Sequence, residues 1–433
     1  MNIILLSGGS GKRLWPLSNE LRSKQFLKLL KDKAGRPESM VQRVYRQLKE
    51  AGLDGNVVIA TSAAQEDALR DQLGDGVDIV LEPERSNTYP AIALASSFLK
   101  TERGCSDEDA VVVLPVDPYV ELGYFLTLKK METAVKAGAA EMVLMGIEPT
   151  LATSKYGYIL PGGGGKNGCE LVTQFIEKPN EERAKELIEK GAVWNGGVFA
   201  YRLGYMEKVL RERGLPMDYA ALRDQYSNMR KISFDYEVVE TASSVAVVRY
   251  HGDWKDLGTW NTLTDEMTTS LTGMVLVGEG TENTNVINET NIPVVVLGAK
   301  NMVVVAGPDG ILVTGKEESA ELRTYVDKID TVPRYEEHSW GDYEILDCAD
   351  YNGEGINIVR RIHLLAGKKL NYPGDAQEKS VVILGGNGIL HAQTGEKNVA
   401  AGCLFQINGK DSTCLEAVSE MYYIETWRLP AKT

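Results

Sequence analysis

The sequence contains few of the residues that usually build metal centres and disulfide frameworks. Among its 433 residues there are four histidines and five cysteines. The cysteine number is odd and no two cysteines have CxxC spacing. These facts argue against a disulfide framework or a zinc–thiolate site, and they favour a reducing, cytoplasmic location. The cysteines are Cys105, Cys169, Cys348, Cys403 and Cys414.

Basic residues are outnumbered by acidic ones, and long hydrophobic runs are scarce. Lys and Arg number 47 against 61 Asp and Glu, giving a formal net charge of −14. Nucleic acids and anionic membranes are polyanions, so they are disfavoured as general partners. The apolar run at residues 1–7 has no basic flank, and we expect a buried first strand there rather than a signal peptide or membrane span. The length predicts two or three domains.

In residues 1–270, short apolar runs alternate with amphipathic stretches. This pattern predicts an α/β fold with a Rossmann-like, mostly parallel sheet and helices on both faces. Ligands of such folds bind at the carboxyl ends of the strands. The predicted strands are 2–6, 57–60, 77–81, 110–115, 142–147, 197–201 and 244–249, and the predicted helices include 39–51, 89–101 and 126–138.

After residue 270 the helical period disappears. Residues 271–330 contain Val-rich runs separated by Gly, Asn and Asp, which predict a short β-solenoid-like segment, and a helical linker is expected at 316–328. Residues 331–433 predict a small β-barrel or sandwich. The predicted strands after residue 270 are 274–277, 285–287, 294–297, 302–305, 311–314, 356–364, 380–384 and 421–426.

The first predicted strand leads directly into a glycine-rich loop with two basic residues. Gly8, Gly9 and Gly11 let the backbone turn its N–H groups towards an anion. Lys12 and Arg13 add positive charge where phosphates would lie. The loop lacks the GxxxxGK[ST] pattern of a P-loop and the third glycine of the dinucleotide fingerprint. By itself it allows two interpretations, a phosphate-binding loop or a tight strand-to-helix turn.

The continuation of this loop resembles the signature of sugar nucleotidylyltransferases, most closely that of the mannose-1-phosphate guanylyltransferases. The first motif is Leu6-Ser-Gly-Gly-Ser-Gly-Lys-Arg-Leu-Trp-Pro-Leu-Ser18, followed by Ser23-Lys-Gln-Phe-Leu27. Further segments resemble the family's later motifs, in the family's order. They are Leu81-Glu-Pro-Glu-Arg-Ser-Asn-Thr-Tyr-Pro90, Leu114-Pro-Val-Asp117, Tyr156-Gly-Tyr-Ile159, Phe175-Ile-Glu-Lys-Pro179, Trp194-Asn-Gly-Gly-Val-Phe199 and Asp253-Trp-Lys-Asp-Leu-Gly-Thr-Trp260.

The resemblance implies transfer of a nucleoside monophosphate to a sugar 1-phosphate, with release of pyrophosphate. Since the substrate phosphate is itself the nucleophile, the protein contributes mainly positioning and charge stabilisation. The implied catalytic residues are Arg13, Lys24 and Lys178. The implied nucleotide-binding residues are Leu6, Gly8, Gly9, Gly11, Lys12, Glu82, Asn87 and Thr88. The implied sugar-phosphate residues are Gly157, Glu177 and Asn195, and the implied Mg²⁺ ligands are Asp117 and Asp256.

Some of these residues also allow simpler interpretations. Magnesium often uses one or two carboxylates together with substrate phosphates, which suits Asp117 and Asp256. Asp117 would otherwise be a helix N-cap and Asp256 a turn residue, and Asp253 is a competing ligand. The Glu177-Lys178 pair would otherwise be an exposed ion pair before a helix.

Glu82 carries the prediction that the nucleotide is GTP. A carboxylate accepts hydrogen bonds from both adjacent donors of guanine, N1–H and the N2 amine. Relatives that transfer thymidylyl or uridylyl groups have Gln in place of this Glu. The chain has one residue inserted after Arg85 relative to the family's Arg-Asn-Thr-Ala-Pro run. Asn87 and Thr88 keep the family's spacing, whereas Arg85 receives no role.

The last predicted domain begins with Ser339-Trp-Gly-Asp-Tyr-Glu344, and residues 359–370 continue a likeness to the cupin-type phosphomannose isomerase domain that many bacterial guanylyltransferases carry. Where that family has a His-rich metal-binding run, residues 371–380 contain no histidine. A cupin metal site needs several imidazoles and a carboxylate. We therefore expect a degenerate domain without isomerase activity that serves packing, oligomerisation or regulation.

The leading hypothesis is an Mg²⁺-dependent enzyme that makes GDP-mannose from GTP and mannose 1-phosphate. One alternative is a guanylyl- or uridylyltransferase for another sugar 1-phosphate, such as a heptose or glucose phosphate. Another is a non-catalytic nucleotide-sugar sensor. Residue types do not fix the stereochemistry of the sugar, and the sequence is compatible with a homodimer.

Overall fold

The computed structural model forms two compact units. It describes residues 1–9, 11–19, 21–165, 167–329, 331–351, 353, 355–374 and 377–430. The first unit contains residues 1–9 and 25–258, and the second contains residues 10–24 and 259–433. The chain segment that follows Gly9 therefore belongs to the second unit. The predicted division of the chain into three domains, with boundaries at residues 270 and 330, stays a prediction.

The first unit is an α/β structure. Its strands are β1 (Asn2–Leu6), β2 (Leu30–Lys31), β3 (Pro37–Glu38), β4 (Val57–Ser62), β5 (Asp78–Glu82), β6 (Ala110–Pro115), β7 (Pro118–Val120), β8 (Met142–Ile147), β9 (Tyr158–Pro161), β10 (Glu170–Ile176), β11 (Val193–Arg202), β12 (Val245–Tyr250) and β13 (Trp254–Asp256). Its helices are α1 (Met40–Glu50), α2 (Glu66–Leu73), α3 (Thr88–Thr101), α4 (Leu122–Lys136), α5 (Glu181–Glu189), α6 (Leu203–Glu212) and α7 (Tyr219–Asp224).

The described strands of this unit include a nine-stranded sheet in the order β5-β4-β1-β6-β11-β8-β12-β10-β9. The β5-β4-β1-β6 half is parallel, and so is the β8–β12 pair. β11 lies antiparallel between β6 and β8, and β10 is antiparallel to both β9 and β12. The prediction of a mostly parallel sheet is therefore wrong, because the sheet is mixed. Strands buried on both faces are apolar in either direction, so their sequences do not encode direction.

Both faces of the sheet are covered by helices. Ile3 and Leu5 of β1 belong to a core cluster with residues of α1, α2, α4 and α5. Ile4 points to the opposite face and belongs to a cluster with α3, α6 and α7. This alternation follows from the two-residue period of a strand. Among the described residues, no helix is both long and apolar enough to cross a membrane.

The second unit begins with short strands that pair mostly in parallel. They are β14 (Leu271–Thr272), β15 (Val275–Val277), β16 (Asn285–Asn288), β17 (Val294–Val296), β18 (Met302–Gly307) and β19 (Gly310–Gly315), with helices α8 (Trp260–Glu266) and α9 (Leu322–Val326). β14, β16 and β18 are parallel neighbours in one sheet, and β19 pairs antiparallel with β18 at the edge of that sheet. β15 pairs in parallel with β17. The predicted stack of short strands is present.

Residues 11–19 and 21–24 are anchored by polar contacts to other parts of the second unit. Trp260 Nε1 donates a hydrogen bond to the Trp15 carbonyl at 3.0 Å. Asn19 Nδ2 donates to Asp309 Oδ2 at 2.8 Å. Arg22 forms ion pairs with Glu289, at 2.6 Å, and with Glu337. Hydrophobic patterning gives no indication of these polar anchors, so the membership of this segment in the second unit was not foreseen.

The second unit continues as two antiparallel sheets. Their strands are β20 (Tyr335–His338), β21 (Gly341–Ala349), β22 (Gly355–Leu364), β23 (Lys369–Tyr372), β24 (Lys379–Gly385), β25 (Asn387–Ala392), β26 (Gly395–Ala400), β27 (Leu404–Ile407), β28 (Thr413–Ala417) and β29 (Met421–Pro430). In the described residues the sheet orders are β20-β21-β22-β29-β24-β27 and β23-β28-β25-β26. One core cluster takes residues from both sheets. The strands predicted at 356–364, 380–384 and 421–426 correspond to β22, β24 and β29.

A buried ion cluster lies among these sheets. Glu425 is completely buried, and its Oε1 accepts hydrogen bonds from Arg360 Nε at 2.8 Å and from Lys379 Nζ at 3.1 Å. Its Oε2 accepts a hydrogen bond from Tyr372 O–H at 2.9 Å. The Lys379 ammonium also lies 4.5 Å from the Trp427 ring centroid. One carboxylate therefore holds two cations in this part of the unit.

We expect Glu425→Gln to destabilise the second unit by about 3–5 kcal/mol, because two cations lose their buried counter-charge. Urea unfolding followed by tryptophan fluorescence measures the change. Glu416→Gln is the matched control, because Glu416 forms a more exposed ion pair with Lys369 at 3.0 Å. Equal unfolding midpoints for the two variants would show that the Glu425 cluster is not a stabilising centre.

Candidate active site

A cavity of about 310 Å³ opens in the first unit at the carboxyl ends of the parallel strands β1, β4, β5 and β6. This is the edge at which ligands of α/β sheets bind. The structure brings seven of the sequence-predicted residues to its wall: Leu6, Gly8, Gly9, Glu82, Asn87, Thr88 and Asp117. The sequence analysis assigned no role to six other residues of the wall, four of which stand in the quoted motifs: Gln25, Ser86, Pro115 and Val116 within those motifs, and Ala60 and Ala91 outside them.

Glu82 is the last residue of β5, and its carboxylate is held from one side. Tyr226 O–H donates a hydrogen bond to Glu82 Oε2 at 2.6 Å, and Tyr226 is 2% exposed. Burial raises the pKa of Glu82, whereas the Tyr226 hydrogen bond lowers it. Tyr226 fixes the orientation of the carboxylate on the cavity wall. It lies 144 residues further along the chain, and no motif marked it.

The turn between β5 and α3 has structural as well as lining roles. Asn87 Oδ1 accepts a hydrogen bond from Thr88 N at 2.8 Å and caps α3. Thr88 Oγ1 accepts a hydrogen bond from Phe234 N at 2.9 Å. Arg85, which received no role from the sequence, donates from Nη2 to the Gly9 carbonyl at 2.8 Å. These contacts join the Gly8-Gly9 turn and the start of α3 into one wall.

The three predicted sugar-phosphate residues lie together. Asn195 N donates a hydrogen bond to the Gly157 carbonyl at 2.7 Å. A Cβ atom on Gly157 would lie 2.4 Å from Glu177 Oε2 and 3.3 Å from Asn195 Cβ. Lys178 Nζ lies 3.1 Å from Glu177 Oε1, and its side chain is 60% exposed against 9% for Glu177. The close approach explains why a glycine stands at position 157.

Gly157→Ala therefore tests whether the Glu177 carboxylate has to keep its position. The added methyl group displaces the carboxylate, and we expect the KM for the sugar phosphate to rise about tenfold, the effect of one weakened hydrogen bond. Steady-state kinetics with each substrate varied in turn measures this. Gly76→Ala is the control, because nothing lies within 4 Å of a Cβ at that position. If both variants keep the wild-type KM, Glu177 does not contact the sugar phosphate.

Three aromatic rings support the loops that carry these residues. The centroids of Tyr156 and Trp194 are 4.9 Å apart, and those of Tyr156 and Trp254 are 5.3 Å apart. Tyr156 precedes Gly157 and Trp194 precedes Asn195 in the sequence. Aromatic pairs of this kind stabilise beyond the area they bury. The ring cluster therefore supports the backbone next to the predicted sugar-phosphate residues Gly157 and Asn195.

One of the two predicted metal ligands, Asp117, directly precedes β7, and the other, Asp256, is the last residue of the neighbouring strand β13. β7 and β13 pair antiparallel with Asp256 opposite Pro118, the residue after Asp117. A Cβ on Gly258 would lie 2.9 Å from Asp256 Oδ1, so the chain leaves room for this carboxylate. Two carboxylates suit Mg²⁺, which completes its shell with water and substrate phosphates. In the described part of the chain, no group of three or more His, Cys, Asp or Glu side chains suits a metal.

Four predicted phosphate residues, Gly11, Lys12, Arg13 and Lys24, belong to the second unit. Gly11 has a φ of +63°, and a Cβ there would lie 2.7 Å from the Asn19 carbonyl oxygen. Lys12 Nζ lies 3.4 Å from Asp327 Oδ1, and Arg13 is exposed. Glycine is therefore required for the backbone conformation at position 11. The roles of these residues at the phosphates stay predictions.

Sequence reasoning also missed Asp235, a buried acid beside the sugar-phosphate residues. It begins a π-helical turn, Asp235–Val239, and its Oδ1 accepts a hydrogen bond from Asn195 Nδ2 at 2.6 Å. Burial, followed by the charge of Glu177, raises the pKa of Asp235 to about 6. Its segment has no periodic pattern and matched no quoted motif. Only the fold makes Asp235 a neighbour of Asn195.

The raised pKa of Asp235 predicts a pH effect on stability. The acid binds its proton more tightly when folded, so its contribution is present below the unfolded pKa and is lost as the pH rises through about 6. A shift of this size corresponds to at most about 3 kcal/mol. We expect Asp235→Asn to gain stability relative to the wild type between pH 4 and pH 7. Denaturant unfolding at both pH values checks this, and a constant difference would refute the raised pKa.

Comparisons with known proteins agree with this architecture. Residues 2–272 match the nucleotidyl transferase family model. Because the match covers more than half of the sequence, the chain belongs to the nucleotidyl transferase family.

The similar proteins define the branch of the family more closely. A mannose-1-phosphate guanylyltransferase of Escherichia coli (strain K12) is 30% identical over 404 residues, which span 83% of each chain. One from Salmonella montevideo is 29% identical over 406 residues, covering 83% of this chain and 84% of the relative. The crystal structure of a mannose-1-phosphate geranyltransferase from Thermus thermophilus is 31% identical, with a TM-score of 0.63, and covers 76% of this chain and 99% of that one.

Proposed function

We propose that this chain transfers GMP from GTP to α-D-mannose 1-phosphate, forming GDP-mannose and pyrophosphate. The observation that carries the proposal is the similarity to mannose-1-phosphate guanylyltransferases over more than four fifths of both chains. The cavity at the strand ends, with Glu82 on its wall, supports the nucleotide half of the reaction. The cluster of Gly157, Glu177 and Asn195 supports the sugar half.

In this reaction an oxygen of the sugar 1-phosphate attacks the α-phosphorus of GTP. The new bond joins the sugar phosphate to the α-phosphate, and the bond to the β-phosphate breaks, so pyrophosphate leaves. Lys178 supplies a positive charge for the attacking phosphate, and we assign Lys24 the same task. Gly8 and Gly9 present backbone donors to the nucleotide phosphates, and Arg13 is assigned to the charge that develops there.

Asp117 and Asp256 are the residues that would hold Mg²⁺. A bound magnesium ion neutralises phosphate charge and orients the leaving group. The chain's own contribution would be two hard oxygen ligands, one directly before β7 and one at the end of its partner strand β13, with Gly258 leaving space beside Asp256.

Glu82 is proposed to select guanine. Its carboxylate has four lone-pair positions, and the Tyr226 hydrogen bond uses one of them on Oε2. Enough acceptor capacity remains for the two adjacent N–H donors of guanine. Uracil and thymine have a single N–H donor between two carbonyl acceptors, and those acceptors would meet the carboxylate unfavourably.

For the second unit we propose that the strands β14–β19, within residues 271–330, form a short β-solenoid and that residues 331–433 are a degenerate cupin-like domain without isomerase activity. The parallel stacking of β14, β16 and β18 supports the first assignment. The two antiparallel sheets with one shared core cluster support the cupin-like fold, and the lack of histidine in the sequence of residues 371–380 supports the loss of isomerase activity.

Pyrophosphate release across a matrix of substrates tests the proposal against its alternatives. The matrix combines GTP, UTP and dTTP with mannose, glucose and heptose 1-phosphates, in the presence of Mg²⁺. We expect GTP with mannose 1-phosphate to give the highest kcat/KM. Highest turnover with another pair would identify a different sugar-1-phosphate nucleotidylyltransferase. Binding of nucleotide sugar without any pyrophosphate release would identify a sensor.

A further inference from the structure

Asp235 is held rigidly by the turn that it begins. Glu237, two residues further on, is 5% exposed and its carboxylate is bound from two directions. Arg213 Nε donates to Glu237 Oε1 at 2.7 Å, and Arg230 Nη1 donates to Glu237 Oε2 at 2.8 Å. The turn is therefore fixed at its centre. These ion pairs stabilise the turn whose first residue, Asp235, accepts the hydrogen bond from Asn195.

The side-chain amide of Asn195 is bound at both ends. Its Nδ2 donates to Asp235 Oδ1 at 2.6 Å, and its Oδ1 accepts a hydrogen bond from Gly197 N at 3.1 Å. Rotating the amide by half a turn would place its oxygen against the Asp235 carboxylate and its NH₂ group against the Gly197 N–H. Both contacts would be repulsive, so the network fixes one orientation.

The fixed amide keeps hydrogen-bonding capacity for a ligand. One of the two Nδ2 hydrogens is used by Asp235, and one of the two lone pairs on Oδ1 is used by Gly197. The backbone of Asn195 is tied to Gly157, whose Cα in turn lies against the Glu177 carboxylate. The remaining donor and acceptor therefore belong to the same small group of residues as Glu177.

We infer that Asp235 is a positioning residue, which orients the Asn195 amide so that it recognises a hydroxyl group of the sugar 1-phosphate. This inference rests on the proposed function, because it concerns the same sugar-phosphate site. Asp235 acts through Asn195 and contacts no phosphate itself. A hydroxyl group both donates and accepts hydrogen bonds, and it therefore matches an amide whose two ends are held in known positions.

The charges around Asp235 make the inference testable by pH. Glu177 and Lys178 are the charged groups that act on it, and burial with the Glu177 charge raises its pKa to about 6. Below this pH the carboxylate becomes a carboxyl group and holds Asn195 less firmly. The KM for the sugar phosphate is then expected to rise. The sugar phosphate also titrates near pH 6, and a variant that lacks the Asp235 titration separates the two effects.

The experiment compares the wild type with Asp235→Asn and Asp235→Ala, varying each substrate in turn between about pH 5.5 and about pH 8. At the upper pH we expect Asp235→Ala to raise the KM for the sugar phosphate about 10- to 100-fold, the effect of losing a hydrogen bond to a charged group. The KM for GTP stays within about twofold. Asp235→Asn keeps a neutral acceptor for Asn195, so at that pH its KM lies between those of the wild type and Asp235→Ala, and the variant lacks the low-pH rise.

A double-variant measurement distinguishes an action of Asp235 through Asn195 from a general loss of structure. If Asp235 acts through Asn195, adding Asp235→Ala to Asn195→Ala changes the KM for the sugar phosphate no further. Equal rises in both substrates' KM values, or additive effects in the double variant, would overturn the inference. If Asp235→Ala fails to fold, the ratio of the wild-type and Asp235→Asn pH profiles decides, and identical profiles overturn the inference.

A failure of the Asp235 inference can be distinguished from a failure of the proposed function. The sugar phosphate used is the one that gives the fastest pyrophosphate release with wild-type enzyme. If that is not mannose 1-phosphate, the proposed substrate is wrong while the Asp235 test proceeds unchanged. If no sugar phosphate is turned over, both the proposed function and the inference built on it fail.

Discussion

Asp256→Asn is expected to lower kcat by about 100-fold or more, which is the usual cost of removing one preorganised electrostatic contact to a developing charge. Asparagine has nearly the same size as aspartate but lacks its charge, so a magnesium ion shared with the substrate phosphates is bound more weakly. The Mg²⁺ concentration that gives half-maximal rate is expected to rise together with the loss of turnover. A magnesium titration at saturating substrates measures both quantities.

Asp253→Asn is the matched control for this prediction. Asp253 lies three residues earlier, directly before β13, and is exposed, and its backbone carbonyl accepts a hydrogen bond from Tyr250 O–H at 3.2 Å. We expect this variant to keep the wild-type magnesium titration. If Asp256→Asn leaves the titration unchanged while Asp253→Asn shifts it, the assignment of the metal ligand is wrong.

Glu82→Gln is expected to reduce kcat/KM for GTP about 100-fold or more relative to UTP. The size follows from leaving paired donors of the base opposite an NH₂ group, since buried polar groups without partners are costly. Inosine triphosphate provides a sharper comparison because it lacks the N2 amine of guanine. The wild type should prefer GTP over ITP, and Glu82→Gln should lose most of this preference.

Two further variants test whether the preference for GTP depends on the Glu82 carboxylate itself. Tyr226→Phe removes the hydrogen bond to Glu82 Oε2 and should weaken the preference for GTP less than Glu82→Gln does, because the carboxylate remains. Glu84→Gln is the control, because Glu84 pairs with Lys231 at 3.0 Å and is absent from the cavity wall. A Glu82→Gln enzyme with full preference for GTP over both UTP and ITP would refute the proposed recognition of guanine.

Much of the fold follows from hydrophobic patterning. The predicted strands at 2–6, 110–115 and 142–147 coincide with β1, β6 and β8, since continuous Val, Ile and Leu runs are the mark of strands buried on both faces. The capping residue Ser39 marks the start of α1, where Gln42 completes a capping box. Such local signals need no knowledge of distant partners.

Strand direction and long-range polar partners were not predictable in this way. β11 has the same apolar character as its neighbours, although it runs antiparallel to both of them. The partners of Glu82 and Asn195, which are Tyr226 and Asp235, lie 144 and 40 residues away and belong to segments without periodicity. Each contact depends on the completed fold, and one sequence by itself does not contain it.

In the candidate site, too, some features follow from the sequence pattern and others depend on the completed fold. The residues on the strand-end turns, Gly8, Gly9 and Asp117, come together on the cavity wall as the α/β pattern implies. The segment beginning at Gly11 continues the same motif, yet it packs with the second unit through polar anchors such as Asn19 and Arg22. A motif that is continuous in sequence is thus divided between two structural units.

The most direct measurement of the central claim is an isotope-transfer experiment. Wild-type enzyme is incubated with Mg²⁺, unlabelled GTP and mannose 1-phosphate that carries ¹⁸O in its phosphate, and the products are analysed by mass spectrometry. If the sugar phosphate attacks the α-phosphorus, all of the label appears in GDP-mannose and none appears in pyrophosphate. Absence of a labelled nucleotide sugar, or label in the pyrophosphate, would contradict the account.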